Sequence, residues 1–125
     1  MAFSKAKVSC FAYGQTGSGK THTMMGNPKL HVEGLYLLAA RDIFEILKKD
    51  EYEDIRVGVS FYEIYCDKAF DLLNEREECP IRVDARENVN IVGLNEKLVS
   101  NTESIMSLIN TGLTERITSQ NSQNN

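Results

Sequence analysis

The chain has 125 residues, 42% hydrophobic and 26% charged, with a net charge of −4. That length suffices for one small domain with its own core, and the composition is ordinary for a globular protein. No apolar run approaches the ~20 residues that cross a bilayer, the N-terminus lacks a signal-peptide core, and no run of lysine or arginine marks a surface for nucleic acid or anionic membranes.

Nucleic acid and membranes are therefore set aside as partners, and a cytoplasmic location is the default. Cys10, Cys66 and Cys79 are odd in number and have no CxxC spacing. Reduced thiols are expected, with no disulfide partner, and His22 and His31 lack the cysteine support of a zinc site.

The first predicted element is a strand over the apolar run Val8-Ser9-Cys10-Phe11-Ala12-Tyr13. It leads into Gly14-Gln15-Thr16-Gly17-Ser18-Gly19-Lys20-Thr21, which fits the P-loop pattern GxxxxGK[ST] at every fixed position. Strand and loop together cover 8–21. The three glycines let consecutive N–H groups turn inward on one anion. A helix opening at about Lys20 adds its own unpaired N–H groups and the positive end of its dipole. Lys20 brings a full charge to the β- and γ-phosphates, and the Thr21 hydroxyl can hold Mg²⁺. The pattern therefore predicts nucleoside triphosphate binding.

The helix that starts there is interrupted by Gly26-Asn27-Pro28 and resumes at Leu35, so 20–48 is one broken helical stretch. Leu35, Ala39, Ile43, Ile46 and Leu47 fall at helical spacing and are expected to form its packed face. A mostly buried strand is predicted over 55–65, carried by Val57, Val59 and Phe61 and continued by Ile64 and Tyr65. Strand, P-loop, helix and strand in that order make a βαβ unit. The predicted fold class is α/β, a P-loop NTPase type mixed sheet with flanking helices.

From 81 to 99 the pattern changes. Ile81, Val83 and Ala85 alternate with Arg82, Asp84 and Arg86, a turn follows at Glu87-Asn88, and Val89 and Ile91 resume the alternation. This predicts a small antiparallel hairpin with one wet face, followed by a further extended piece from Gly93 to Val99. Ser100-Asn101-Thr102-Glu103 fits a capping box with Ser100 as N-cap, opening a helix over 101–116 with Ile105, Leu108, Ile109, Gly112 and Leu113 on one face. The segment 117–125 is polar and aperiodic and reads as a loop.

Phosphoryl transfer also needs an acid that organises Mg²⁺ and groups that position water. The local candidate for the acid is Asp67, although Cys66-Asp67-Lys68 reads more readily as the tip of a polar turn; Glu63 lies within a strand and reads as a paired or edge carboxylate. No catalytic residue is assigned, and the chain supports binding better than hydrolysis.

Three stretches resemble one family. Phe11-Ala12-Tyr13-Gly14 through Lys20-Thr21-His22-Thr23-Met24 resembles the P-loop of the kinesin motor domain. Val59-Ser60-Phe61-Tyr62-Glu63-Ile64-Tyr65, followed by Phe70-Asp71-Leu72-Leu73-Asn74, is similar to a second kinesin signature. Val92-Gly93-Leu94 leading to Val99-Ser100 is similar to the hairpin before the third kinesin helix. Gly34-Leu35-Tyr36 through Ile43-Phe44 and the motif Phe61-Tyr62-Glu63-Ile64-Tyr65 resemble most the kinesin-13 group, whose members depolymerise microtubule ends.

The resemblance implies an incomplete motor over 1–125, the nucleotide-binding middle of a microtubule-stimulated ATPase, with coiled coil outside this chain. It implies ATP and Mg²⁺ as ligands, microtubules or tubulin as partner, and a place on the cytoskeleton. It places Gly14, Gln15, Thr16, Gly17, Ser18, Gly19, Lys20 and Thr21 around the phosphates, mainly through backbone N–H groups in the loop. His22 would stand beside the adenine, or else be an exposed first-turn residue. The tail is similar to the lead into the first switch, N-x-x-S-S-R-S-H, whose serines and arginine are not in this chain; nor is the second switch, D-L-A-G-S-E. The chain alone is accordingly expected to bind nucleotide weakly without turning it over. A different reading of the same loop is a self-contained P-loop nucleotide-binding or nucleotide kinase module, which would require Asp67 as its acid.

Overall fold

The computed structural model describes Lys5, residues 7–15 and residues 17–123, with side chains described as far as Arg116. The chain divides into two compact units, Met1–Asp42 and Ile43–Asn125. Helices and strands are mixed, consistent with an α/β class. Every strand pair among the described residues is antiparallel.

In the first unit, the run 8–13 is not a buried strand. It has no strand partner among the described residues, and Phe11 and Tyr13 are 84% and 93% exposed. A strand inside a parallel sheet needs neighbours on both sides for its N–H and C=O groups. With no such neighbour among the described residues, the run is left open to solvent and the expected βαβ pairing is not seen.

Helix α1 spans Lys20–Met25 and ends at Gly26, whose N–H donates to the His22 carbonyl. Two short strands, β1 (Gly26–Asn27) and β2 (Val32–Glu33), then pair around a 3-10 turn at Pro28–Leu30. The Asn27 side chain accepts the Lys29 N–H at 3.0 Å, so the residue before proline also caps that turn.

Helix α2 spans Leu35–Leu47. The expected face holds in the second half of the helix, where Ile43, Ile46 and Leu47 are half-buried, but not in the first half. Ala40 is buried and Tyr36, Leu37, Ile43, Phe44 and Leu47 are half-buried, while Leu35 and Ala39 are exposed. The six consecutive apolar residues Leu35 to Ala40 satisfy a helical period in either phase, so spacing alone does not choose between them. Glu33 forms an ion pair with Arg41. The Arg41 guanidinium, bonded to the carboxylate, holds Glu33 below the usual carboxylate range.

In the second unit, the strand expected over 55–65 is two strands in different sheets. β3 (Val57–Val59) pairs with β9 (Lys97–Val99), and β4 (Tyr62–Tyr65) belongs to a meander with β5 (Lys68–Asp71) and β6 (Glu77–Cys79). The break falls at Ser60-Phe61, where the Phe61 carbonyl accepts the Leu72 N–H at 2.9 Å. The apolar pattern runs through this break without interruption, so nothing in the spacing marks the change of partner.

β7 (Ile81–Val83) and β8 (Val89–Ile91) form a two-stranded hairpin with Ile81 opposite Ile91 and Val83 opposite Val89. The alternation does not produce the expected sheltered face along its length. Ile81 and Ile91 are half-buried, but Val83 and Val89 near the tip are exposed. Asp84 organises the turn: its carboxylate accepts the N–H groups of Arg86 at 2.8 Å and Asn88 at 2.9 Å.

Helix α3 runs Thr102–Gln123, so 117–123 is helical rather than a loop. Past Gly112 the sequence holds no glycine or proline, and its serines, threonines and asparagine-glutamine pairs cost only a few tenths of a kcal/mol each, too little to stop a helix already propagating. Asn124 and Asn125 lie outside the described residues. The N-cap is Asn101 rather than Ser100, its Oδ1 accepting the Ser104 N–H at 2.8 Å.

Ile105 and Ile109 of α3 are buried, as are Ala69 of β5, Leu72 in the turn between β5 and β6, and Cys79 of β6. Gly112 makes close packing of α3 possible, because a Cβ there would run into the Phe61 ring.

Candidate functional site

The loop before α1 is built on three glycines with positive φ: Gly14 at 153°, Gly17 at 85° and Gly19 at 99°. Residues with a Cβ adopt these conformations at a cost. A Cβ on Gly14 would also collide with the Ser18 side chain. The Ser18 N–H donates to the Gln15 carbonyl at 3.0 Å, closing the loop into a turn. Thr16 lies outside the described residues.

Gly19 is the N-cap of α1 and, lacking a side chain, supplies no cap hydrogen bond. The Thr23 N–H closes the first helical bond, to the Gly19 carbonyl at 2.9 Å. The amides of Lys20, Thr21 and His22 precede that bond, on the end of a helix where an acceptor from outside the chain is favoured.

Lys20 reaches back over the loop. Its Nζ donates to the Gly14 carbonyl at 2.5 Å and the Gln15 carbonyl at 3.1 Å. The fold thus brings Gly14, Gln15 and Lys20 together, with Ser18 and Gly19 on the connecting turn. Carbonyl dipoles are weak partners for an ammonium compared with a phosphate oxygen, where both groups carry charge. The donor set fits an anion: a lysine ammonium, glycine backbone without Cβ obstruction, and a helix start.

Thr21 and His22 are exposed in the first turn of α1. The Thr21 hydroxyl stands one residue beyond Lys20, as a hydroxyl ligand for a phosphate-bound divalent cation would. The backbone of His22 is used in closing α1 at Gly26, and its ring lies on the exposed side.

Asp67 is accounted for by the turn it occupies. Cys66 and Asp67, at φ 51° and 61°, are the two residues between β4 and β5, both left-handed as a tight hairpin of that kind requires. Both are exposed. Among the described residues, no group of three or more His, Cys, Asp or Glu side chains could hold a metal ion.

Two carboxylates of the second unit have structural partners that no local spacing announces. Glu63 is paired with Arg76 at 2.6 Å and Arg116 at 3.1 Å. Asp71 is fully buried, and its oxygens accept the Leu73 N–H at 2.9 Å and the Asn95 N–H at 2.8 Å.

Compared with known families, the chain matches the model of the kinesin motor domain over residues 1–125.

Proposed function

Because this chain belongs to the kinesin motor domain family, we propose that it is the ATP-binding portion of a microtubule motor ATPase. The observation that carries the proposal is the glycine loop with Lys20 folded across the Gly14 and Gln15 carbonyls. In this reading the N–H groups of the loop from Gly14 to Gly19 and of the start of α1 receive the phosphates. Lys20 exchanges its two carbonyl acceptors for phosphate oxygens, a neutral partner for a charged one. The family resemblance supports His22, exposed in the first turn of α1, as the residue beside the adenine.

Mg²⁺, when bound with the nucleotide, neutralises charge on the β- and γ-phosphates, and the Thr21 hydroxyl is the group of this chain that would hold it. No residue of the chain is proposed as catalytic. The chain on its own binds nucleotide weakly and does not turn it over; hydrolysis, coupled to movement along microtubules or their depolymerisation, belongs to the full motor on the cytoskeleton.

The finer assignments rest on likeness of sequence. The wording of α2 and of Phe61-Tyr62-Glu63-Ile64-Tyr65 supports the kinesin-13 group. The apolar run Val8 to Tyr13, with Val8, Phe11 and Tyr13 open to solvent, supports a P-loop type sheet in which this segment is a paired strand of the whole motor.

The test is titration of the full chain with a fluorescent ATP analogue, with and without Mg²⁺. Binding that strengthens with Mg²⁺ and is unchanged in Asp67→Ala supports the proposal. Loss of the Mg²⁺ effect in Asp67→Ala would instead favour a self-contained nucleotide module with its own acid.

A further inference from the structure

β9 pairs with β3 on one side and has no strand on the other among the described residues. That open side carries a row of backbone N–H and C=O groups, a template on which a further strand can add. A groove of about 590 Å³ runs between β9 and the start of α3, lined by Lys97, Leu98 and Val99 and by Glu103, Ser107 and Leu108. Since β3 contributes no residue to it, the groove lies on the open side.

Side chains alternate along β9. Leu98 takes one face, where it is 75% exposed and stands opposite Gly58, which has no side chain to cover it. Lys97 and Val99 take the other, the face of Val57 and Val59, on which all three valines are half-buried. Lys97 and Glu103 are exposed and enter none of the ion pairs among the described residues.

These features are complementary to themselves. A two-fold axis at Leu98, laying the β9 edges of two copies antiparallel, sets Leu98 against its counterpart and Lys97 against the Val99 position of the other copy. Lys97 then stands at the end of that strand from which α3 departs, where the groove holds Glu103. The same contact forms twice, as a two-fold interface requires. Two exposed leucines leave water together, and opposite charges meet at both ends. The open edge of β4, with Tyr62, Ile64 and Tyr65 exposed, lacks this match, because its carboxylate, Glu63, is already held within the chain by Arg76 and Arg116.

We propose that the open edge of β9 is a self-association surface, on which a second copy of this chain adds antiparallel about Leu98 with Lys97 of each copy paired to Glu103 of the other. The strand is short, so the dimer is weak and forms as concentration rises. This inference is independent of the nucleotide reading, since it uses no residue of the loop.

Sedimentation equilibrium of the full chain over a concentration series tests it. The unmodified chain should pass from monomer towards dimer as concentration rises. Lys97→Glu and Glu103→Lys should each weaken association by about tenfold, since each removes both charge pairs and sets like charges together. The double variant, which restores both pairs with the charges exchanged, should recover it. Leu98→Thr keeps a strand-forming residue, changes no charge and should weaken association several-fold, so the interface is still read where a charge reversal disturbs folding. A chain that stays monomeric throughout, association that Leu98→Thr and both reversals leave unchanged, or a double variant no better than the single ones would overturn the proposal.

Discussion

The Asp71 carboxylate and the Asn95 N–H, from the end of β5 and the loop before β9, meet in a hydrogen bond of 2.8 Å at a fully buried side chain. The other oxygen of Asp71 accepts the Leu73 N–H at 2.9 Å, so one side chain fixes its own turn and a distant loop together. Asp71→Ala leaves both N–H groups without their acceptor, at about 1–3 kcal/mol each before any relaxation. Urea unfolding should show a loss of about 2–4 kcal/mol. A loss under about 0.5 kcal/mol would mean that water takes over both bonds.

Gly112→Ala sets two effects against each other. Alanine is favoured over glycine inside a helix by about 1 kcal/mol, but its Cβ would run into the Phe61 ring and meet Leu72. Overpacking of this kind costs typically about 1–3 kcal/mol, so the substitution should destabilise the chain. Phe61→Leu in the same chain should recover part of the loss, and thermal melts of the single and double variants measure the coupling. Stabilisation by Gly112→Ala alone would show that the ring moves aside freely.

The Asp84 carboxyl is held below its ordinary value, first by the backbone N–H of Asn88 and then by the Asn88 side chain. Its ionised form is thus favoured by folding. The contribution is present above the unfolded value of about 3.9 and is lost as pH falls through the lower folded value. Amide shifts of Arg86 and Asn88 should stay constant from pH 7 to about pH 5 and change only at more acid pH, and Asp84→Asn should abolish that step.

Cys10 and Cys66 are exposed and Cys79 is buried. Burial pushes the Cys79 thiol up, and the neighbouring Asp71 and Glu77 add to the shift. A thiol reagent at neutral pH should therefore modify two cysteines quickly and the third only when the chain unfolds. Rapid reaction of all three under native conditions would contradict the burial of Cys79 at the end of β6.

The loop was legible because its rule is local: glycine, lysine and threonine at fixed spacing need nothing from the rest of the chain. The opening of α2 at Leu35 is likewise written in one run of residues. The phase of its first half was not, since six apolar residues in a row fit two faces, whereas Ile43, Ile46 and Leu47 fall on the sheltered side as expected. The splitting of 55–65 into β3 and β4 depends on Lys97 to Val99 and on Lys68 to Asp71, partners that spacing does not name. The same holds for Asp71 with Asn95 and for Glu63 with its arginines, where the two ends meet only through a folded meander. The shift of the cap from Ser100 to Asn101 is a choice between adjacent residues that both favour the position.

The central claim is that the loop from Gly14 to Thr21 binds nucleotide through phosphate. Its most direct test is the affinity of the full chain for a fluorescent ATP analogue, compared with that of Lys20→Ala. The thermal melt without nucleotide should be nearly the same for both chains, since Lys20 bonds only to exposed loop carbonyls among the described residues. Removing one charge-assisted contact of about 1.5–3 kcal/mol should weaken binding roughly ten- to a hundredfold. Equal affinity of the two chains would contradict the claim.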